Sequence, residues 1–315
     1  VVANYNDKKV SVIRNLGSGC FAAPVSYSVG LYPWAVSLAD FDGDGFVDIA
    51  CANSALSANI AYAKGSVSIL HGNASGTFLD QRAKTVVPVS GNPWGMVTGD
   101  FNRDGRVDIV TTGSQFSGSS GSNTVSVLLN ASNGTYERTD YSVGFNPVAV
   151  VTGDLNRDGN TDLVVSNLYS PSVSVLLGNG DGTFRPQMTT SLRSQAMDLV
   201  LGDFNRDGIL DLATANVQSA TVSVMRGLGN GAFASPVDYQ TPARPYKLVA
   251  ADLNGDGILD LAAASDGAGG VAVLMGNRMG TFSSASHYRP GYLAYKIAAA
   301  DMNGDGFTDL LLSGP

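Results

Sequence analysis

The chain has 315 residues, of which 15% are charged and 44% hydrophobic, and it contains 38 glycines. This composition is typical of a folded protein built from strands and turns, and it excludes an intrinsically disordered chain. The net charge is −8 and no cluster of lysine or arginine is present, which argues against a nucleic-acid partner. No apolar run reaches the roughly 18 residues that a membrane span requires.

Six acidic motifs recur along the chain, beginning with DFDGDGFVDIA at Asp40. They share the pattern D-x-[DN]-x-D-G-x-x-D, and successive copies start 60, 54, 49, 49 and 49 residues apart. The motifs hold 19 of the 27 acidic residues, so most of the negative charge is concentrated in these six short segments. A period of this length is typical of a repeat architecture.

The spacing of oxygen-bearing side chains within the motif predicts a calcium site. Calcium takes about six to eight oxygen ligands, and carboxylates or amides at positions 1, 3 and 5 can turn inward together. Glycine at position 6 permits the bend, position 7 offers its carbonyl, and aspartate at position 9 closes the site. A plain Asp-Gly turn would not need position 9, so six copies favour up to six Ca²⁺ loops. The predicted ligands are, at position 1, Asp40, Asp100, Asp154, Asp203, Asp252 and Asp301; at position 3, Asp42, Asn102, Asn156, Asn205, Asn254 and Asn303; at position 5, Asp44, Asp104, Asp158, Asp207, Asp256 and Asp305; at position 7, Phe46, Arg106, Asn160, Ile209, Ile258 and Phe307; and at position 9, Asp48, Asp108, Asp162, Asp211, Asp260 and Asp309.

The motif differs from an EF-hand, which needs glutamate at position 12 and a helix on each side. Position 12 is never a ligand here, and the flanking segments are short and β-prone, as in PWAVSLA before the first motif. We therefore predict that each loop joins two strands, A and B.

A second recurring segment follows each loop, as in VSVLLGNGDGTF from Val173. It predicts a strand C, a turn rich in glycine and asparagine, and a strand D led by an aromatic residue. Four-stranded units of about 50 residues with no helical period indicate an all-β fold, a β-propeller of four-stranded blades.

The calcium loop between strands A and B and the NGDGTF turn near Asn179 together resemble the FG-GAP/VCBS repeat family over essentially the whole chain. Integrin α-subunit propellers and some fungal lectin propellers belong to this group. The resemblance implies an extracellular, calcium-bearing propeller used for adhesion or glycan binding, usually with seven blades.

The repeat count predicts a single propeller domain, residues 1–315, with repeats that begin near 33, 93, 147, 196, 245 and 294. Residues 294–315 supply strands A and B of a closing blade, and residues 1–32 supply the end of a strand B, then C and D. These segments overlap, because Val1 to Tyr5 align with Leu311 to Pro315. Six blades is the favoured count, and seven blades with missing ends is the alternative.

Ligand contacts are expected at the D–A connections, on the face opposite the loops. Trp34 and Trp94 also lie at these connections, but they occupy a repeat position that is apolar throughout. Trp34 is also expected on the same face of its strand as Val36 and Leu38. Both observations favour packing between blades for these two residues. The B–C connections after the first two motifs are also lengthened. The predicted exposed ligand-binding residues are Tyr32, Asn92, Asn146, Arg244 and Tyr292.

Three further sequence features bear on function. Cys20 and Cys51 are interpreted as two buried thiols or as one disulfide between neighbouring repeats. Neither His71 nor His287 has a recognisable nucleophile partner, so both are expected to be surface or packing residues and the chain to be no enzyme. Sequons in predicted C–D turns mark exposed candidates for glycosylation: Asn73, Asn130 and Asn133.

These features together predict a secreted or cell-surface recognition module that binds carbohydrate on the face opposite the calcium loops. The alternatives are a module for adhesion to an extracellular protein and the propeller part of a larger secreted enzyme.

Overall fold

The computed structural model describes residues 1–17, 20–54, 65–78, 85–114, 123–131, 134–266, 270–291 and 294–314. These residues form 27 strands and no helix, so none of them belongs to a helix that could cross a membrane. The chain divides into two compact units, Val1–Val150 with Gly178–Pro186, and Val151–Leu177 with Gln187–Pro315.

The first unit begins with a three-stranded sheet and a short hairpin, and continues with two four-stranded antiparallel sheets. The three-stranded sheet has the order β1-β2-β5, and β3 and β4 form the hairpin. The strands are β1 (Val2–Asn4), β2 (Lys9–Val12), β3 (Asn15–Gly17), β4 (Cys20–Phe21), β5 (Val25–Ser28), β6 (Pro33–Ala39), β7 (Asp48–Asn53), β8 (Ser66–Leu70), β9 (Thr85–Pro88), β10 (Met96–Gly99), β11 (Asp108–Gly113), β12 (Thr124–Asn130) and β13 (Tyr136–Ser142).

Strand β14 (Pro147–Gly153) begins in the first unit and ends in the second, which contains the remaining strands. Three four-stranded sheets, β14 to β17, β18 to β21 and β22 to β25, precede a two-stranded sheet, β26-β27. The strands are β15 (Asp162–Asn167), β16 (Ser172–Leu176), β17 (Met188–Ser191), β18 (Ala196–Gly202), β19 (Asp211–Asn216), β20 (Thr221–Met225), β21 (Val237–Gln240), β22 (Pro245–Ala251), β23 (Asp260–Ser265), β24 (Gly270–Leu274), β25 (Ser286–Tyr288), β26 (Lys296–Ala300) and β27 (Asp309–Ser313).

Each four-stranded sheet has the predicted order A-B-C-D, with the acidic motif between A and B. All six residues of each strand B are buried in β7, β11, β15, β19 and β23. A strand buried on both faces reads as a nearly continuous run of small and apolar residues, which explains segments such as DIACAN. The N-terminal sheet has the predicted strands B, C and D, and the C-terminal sheet has the predicted strands A and B. That these two sheets form one closing blade stays a prediction.

The core lies between successive sheets. In the first unit, Ile69 of β8 and Ile109 of β11 belong to one buried cluster. In the second unit, Phe204 packs edge-to-face against Phe282, with ring centroids 5.5 Å apart, in a cluster that joins β19 and β20 to β23 and β24. Packing of this kind fixes the spacing between neighbouring sheets and thereby the positions of the acidic loops.

The aromatic residue after each C–D turn does not generally begin strand D. Phe78, Phe184, Phe233 and Phe282 form isolated bridges to a glycine just after strand C, and strand D starts four residues after each of the last three. Only Tyr136 starts its strand, β13, directly. The aromatic ring therefore packs between sheets instead of starting strand D, which the sequence pattern did not predict.

The two cysteines form no disulfide with each other; Cys20 is exposed and Cys51 is completely buried, so the interpretation of two buried thiols is wrong for Cys20. We expect one thiol per chain to react with Ellman's reagent under native conditions and both to react in denaturant, since the reagent needs access to the thiolate. Equal reactivity of both thiols in the native protein, or no reaction at all, would contradict this arrangement.

Candidate metal loops and ligand face

The six acidic loops share one network of hydrogen bonds, illustrated by the loop that begins at Asp203. The backbone N–H of Gly208 donates to Oδ2 of Asp203 over 2.8 Å, and the N–H of Asp207 donates to Oδ1 of Asn205 over 2.9 Å. Asp207 Oδ1 accepts from the N–H of Ile209 over 2.8 Å. Because the same three bonds recur in every loop, the side chains at positions 1, 3 and 5 all turn towards the inside of the loop.

The backbone of the loop explains its glycines. Positions 4 and 6 both have positive φ, for example 60° at Arg206 and 77° at Gly208. Position 6 is always glycine, which adopts this conformation without a steric cost, whereas position 4 tolerates arginine in three loops.

The donor set of the loops fits calcium. One ligand oxygen from each of Asp40, Asp42 and Asp44 can be chosen so that all three lie within 4.8 Å of one another, although these groups are largely exposed. Hydrogen bonds from the backbone N–H groups of Gly306 and Gly304 lower the pKa of Asp301, which keeps this carboxylate ionised. Carboxylate and amide oxygens at this spacing are the ligands that a hard dication prefers.

Position 9 has a role in the structure that its motif did not reveal. Asp211 is 2% exposed, and its Oδ2 accepts the N–H of Phe204 over 3.0 Å while Oδ1 accepts the N–H of Gly227 over 2.8 Å. Asp48, Asp108 and Asp260 make the same pair of bonds. The carboxylate therefore joins the A–B loop to the end of strand C, whether or not it also contacts a cation.

Arginines reach into some loops. Arg106, at position 7 of the second loop, forms an ion pair with Asp104 and donates to the carbonyl of Asn130 over 2.7 Å. Arg157, at position 4 of the third loop, donates to the carbonyls of Asp207 and Gly208 over 2.8 and 3.2 Å. The two hydrogen bonds of Arg157 therefore connect the third loop to the fourth.

The first loop has an additional neighbour, His71, at the end of β8. Its Nδ1 lies 3.0 Å from Oδ2 of Asp42 and 3.5 Å from Oδ2 of Asp48. Interaction with the Asp48 carboxylate raises the pKa of the His71 imidazole above its usual value. The sequence pattern assigned His71 to the surface or to packing, and its contact with the loop is a feature that this pattern missed.

The D–A connections of the first unit form an aromatic cluster. Trp34 and Trp94 stack with centroids 4.5 Å apart and an interplanar angle of 21°, which confirms the predicted packing. A register shift between Pro33 and Ala35 makes Trp34 a bulge residue, so its parity with Val36 was not a valid argument. The ring centroid of Tyr5, from the turn after β1, lies 5.0 Å from that of Tyr32 and 5.5 Å from that of Trp34, a contact that no sequence pattern predicts.

The predicted ligand-binding residues differ in exposure. Tyr32 and Asn92 are partly exposed, and Arg244 is exposed and pairs with Asp266. Asn146 is 1% exposed, so its prediction as an exposed residue is wrong; it is buried with a positive φ of 56° in the bend directly before β14. Tyr292 lies outside the described residues, as do most of the lengthened B–C connections.

The sequons differ in the same way. Asn73 is partly exposed in its C–D turn. Asn130 is 3% exposed and its Nδ2 donates to the carbonyls of Phe41 and Val107, so the expectation of an exposed acceptor is wrong. Asn133 lies outside the described residues.

A cavity of about 230 Å³ lies in the second unit, between the C–D hairpin of one repeat and the C–D turn of the next. Arg226, Tyr239 and Met279 line it, together with the loop residues Asn205 and Asp211. It lies at the loop end of the sheets rather than at the D–A connections.

Comparisons with solved structures show the fold. The chain is similar to an Agrocybe aegerita lectin that recognises non-reducing terminal N-acetylglucosamine, with 19% identity, 92% of this chain and 79% of the other covered, and a TM-score of 0.59. It is similar to a periplasmic gluconolactonase of Pseudomonas aeruginosa, with 16% identity, 89% and 76% covered, and a TM-score of 0.62. It is also similar to BBS1N in complex with ARL6DN, with 13% identity, 95% and 86% covered, and a TM-score of 0.60.

No curated protein matches the chain at a significant level of sequence similarity. The sequence profile of the FG-GAP-like repeat, in contrast, matches six times, over residues 1–51, 56–111, 116–165, 158–214, 203–263 and 252–312. The repeated four-stranded sheets and the propeller neighbours confirm the predicted all-β, propeller-type fold with six repeats. The chain belongs to the family of FG-GAP-like repeat proteins.

Proposed function

We propose that this chain is a non-catalytic, calcium-stabilised recognition module, secreted or at the cell surface, that binds carbohydrate on the face opposite the acidic loops. The single observation that carries the proposal is the cluster of Tyr5, Tyr32, Trp34 and Trp94, at the end of the sheets away from the loops.

The cluster has the properties that a sugar-binding surface needs. A sugar presents a face of C–H groups that stacks on aromatic rings, and partly exposed rings held by their neighbours bind at a small entropic cost. Tyr5, Tyr32 and Trp34 are partly exposed, whereas Trp94 is only 9% exposed and stacks on the ring of Trp34. Asn92 lies in the neighbouring connection and adds hydrogen-bonding capacity.

The likeness to a fungal lectin supports this function by analogy of fold. The likeness to a gluconolactonase is a counterweight, because the same fold also supports catalysis. Nineteen of the 27 acidic residues lie in the loops, which leaves few carboxylates for catalysis elsewhere in the chain. We therefore favour binding over catalysis.

A second candidate, protein adhesion, is favoured by the hairpin of β3 and β4. Leu16 is 63% exposed and Phe21 is 55% exposed on this hairpin. Large apolar side chains that lie together on a surface are typical of a protein–protein contact. The BBS1N neighbour, which was solved in complex with ARL6DN, is an example of this fold in a protein complex.

The test is a glycan array, probed once with millimolar calcium and once with a chelator. We expect calcium-dependent binding to a few related sugars. The substitution Tyr32→Ala should weaken that binding roughly ten-fold, equivalent to about 1.4 kcal/mol, because a stacking surface is lost. Tyr288→Ala is the matched control, since Tyr288 is 59% exposed but lies on strand β25 of the other unit.

Binding that Tyr32→Ala leaves unchanged would place the sugar site elsewhere, with the cavity beside Tyr239 as the next position to test. No binding in either condition would contradict the lectin proposal and favour the protein-adhesion candidate.

A further inference from the structure

The first acidic loop differs chemically from the other five. It has aspartate rather than asparagine at position 3, Asp42, and its neighbouring strand C ends in a histidine. The residues that occupy the position of His71 in the other repeats are Arg14, Leu129, Leu177, Arg226 and Met275. Only this repeat therefore places an imidazole nitrogen beside a loop.

Three potential ligand atoms converge at this point. Nδ1 of His71 and one carboxylate oxygen each of Asp42 and Asp48 lie within 4.8 Å of one another. Nδ1 is buried and makes no hydrogen bond of acceptable geometry to any described residue, although two carboxylate oxygens face it at 3.0 and 3.5 Å. Such an arrangement of lone pairs and negative charge requires a cation, either a metal ion or a proton on Nδ1.

The distances suit a small divalent ion. Zinc lies about 2.0–2.2 Å from nitrogen and carboxylate ligands, so two ligands of one tetrahedral ion are roughly 3.3–3.6 Å apart. The measured separations of 3.0 and 3.5 Å from Nδ1 are close to this range. Each Asp48 oxygen accepts only one backbone N–H, from Phe41 or Gly72, and an ionised carboxylate retains further lone pairs for a metal.

We propose that Asp42, Asp48 and His71 form a mixed nitrogen–oxygen site for a transition-metal dication such as Zn²⁺. Imidazole is a preferred ligand of zinc, cobalt and nickel, whereas calcium selects oxygen ligands only. The site shares Asp42 and Asp48 with the proposed calcium loop, so the two ions would compete there, but it does not require that calcium bind. The remaining positions on the ion would be filled by water, because Asp42 is partly exposed.

The test uses Co²⁺, whose visible d–d absorption reports ligand type and geometry. The protein is titrated once without calcium and once in millimolar Ca²⁺, because Ca²⁺ would occupy the other loops but would also compete with Co²⁺ for Asp42 and Asp48. We expect about one equivalent of Co²⁺ to bind with an absorption typical of nitrogen and oxygen ligands, and Zn²⁺ to displace it. His71→Leu should abolish this absorption, and leucine is the residue that two other repeats have at the same position.

Two further variants make the test decisive. His287→Leu removes the second histidine of the chain and should leave the Co²⁺ spectrum unchanged. Asp42→Asn, at a partly exposed side chain, removes one ligand charge and should weaken Co²⁺ binding at least ten-fold while the fold is retained. Absence of Co²⁺ binding to the calcium-free wild-type protein, or a Co²⁺ absorption that His71→Leu leaves unchanged, would overturn the proposal and leave a proton on Nδ1 in place of the metal. Because Co²⁺ binding is measured directly, a failure of the calcium proposal would be seen separately, as an unchanged melting temperature in chelator.

Discussion

Removing calcium is expected to lower the melting temperature of this protein substantially. If each of the six loops binds with a dissociation constant of about 10⁻⁴ M, and free calcium is about ten-fold higher, each site adds roughly 1.4 kcal/mol. Six independent sites would then add on the order of 8 kcal/mol, comparable to the free energy of unfolding of a whole domain. The physical reason is that without a cation the carboxylates of one loop repel each other across a few ångströms.

The measurement is thermal unfolding followed by circular dichroism, with millimolar Ca²⁺ and with a chelator at the same ionic strength. Magnesium is a suitable control ion, because its smaller radius and strict octahedral geometry fit a multidentate loop poorly. Asp305→Ala should reduce the calcium-dependent increase in melting temperature by the contribution of one loop. An equal melting temperature with and without calcium would refute the proposal that the loops are stabilised by this ion.

Asp211→Ala is expected to destabilise the protein by about 3–5 kcal/mol, even in the presence of a chelator. The substitution leaves the buried N–H groups of Phe204 and Gly227 without the carboxylate that accepts both of them. Hydrogen bonds to a charged acceptor contribute roughly 1.5–3 kcal/mol each, and the alanine cannot replace either. Urea denaturation with the chelator present measures this loss.

The matched control is Asp207→Ala, in the same loop. The Asp207 side chain is exposed and its carboxylate accepts hydrogen bonds only from within the turn, so in chelator its loss should cost less than about 1 kcal/mol. In calcium, by contrast, Asp207→Ala should lose the stabilisation of its site. If the two variants behaved alike in chelator, position 9 would have no structural role beyond that of position 5.

The repeat pattern was sufficient to predict much of this fold. The spacing of the six motifs located the A–B loops, and the segments on either side predicted strands such as β18 and β19, because a strand buried on both faces consists largely of small and apolar residues. The fixed positive-φ glycine at position 6 was also predictable, since no other residue adopts that conformation without cost. These features are local, and a local feature is determined by residues close together in the chain.

Features that depend on neighbouring strands were decided only by the tertiary structure. Asn130 and Asn146 look like exposed loop residues in the sequence, but both are buried, and the Asn130 side chain donates to the carbonyl of Phe41 in the loop of the preceding repeat. His71 is 23 residues beyond Asp48, and only the pairing of β7 with β8 brings it to the first loop. Tyr5 reaches Tyr32 and Trp34 through the packing of the N-terminal turn. The sequence alone therefore determined which residues could bind a cation and where the strands lie, whereas the packing of sheets decided which side chains meet, because those contacts join residues that no sequence period connects.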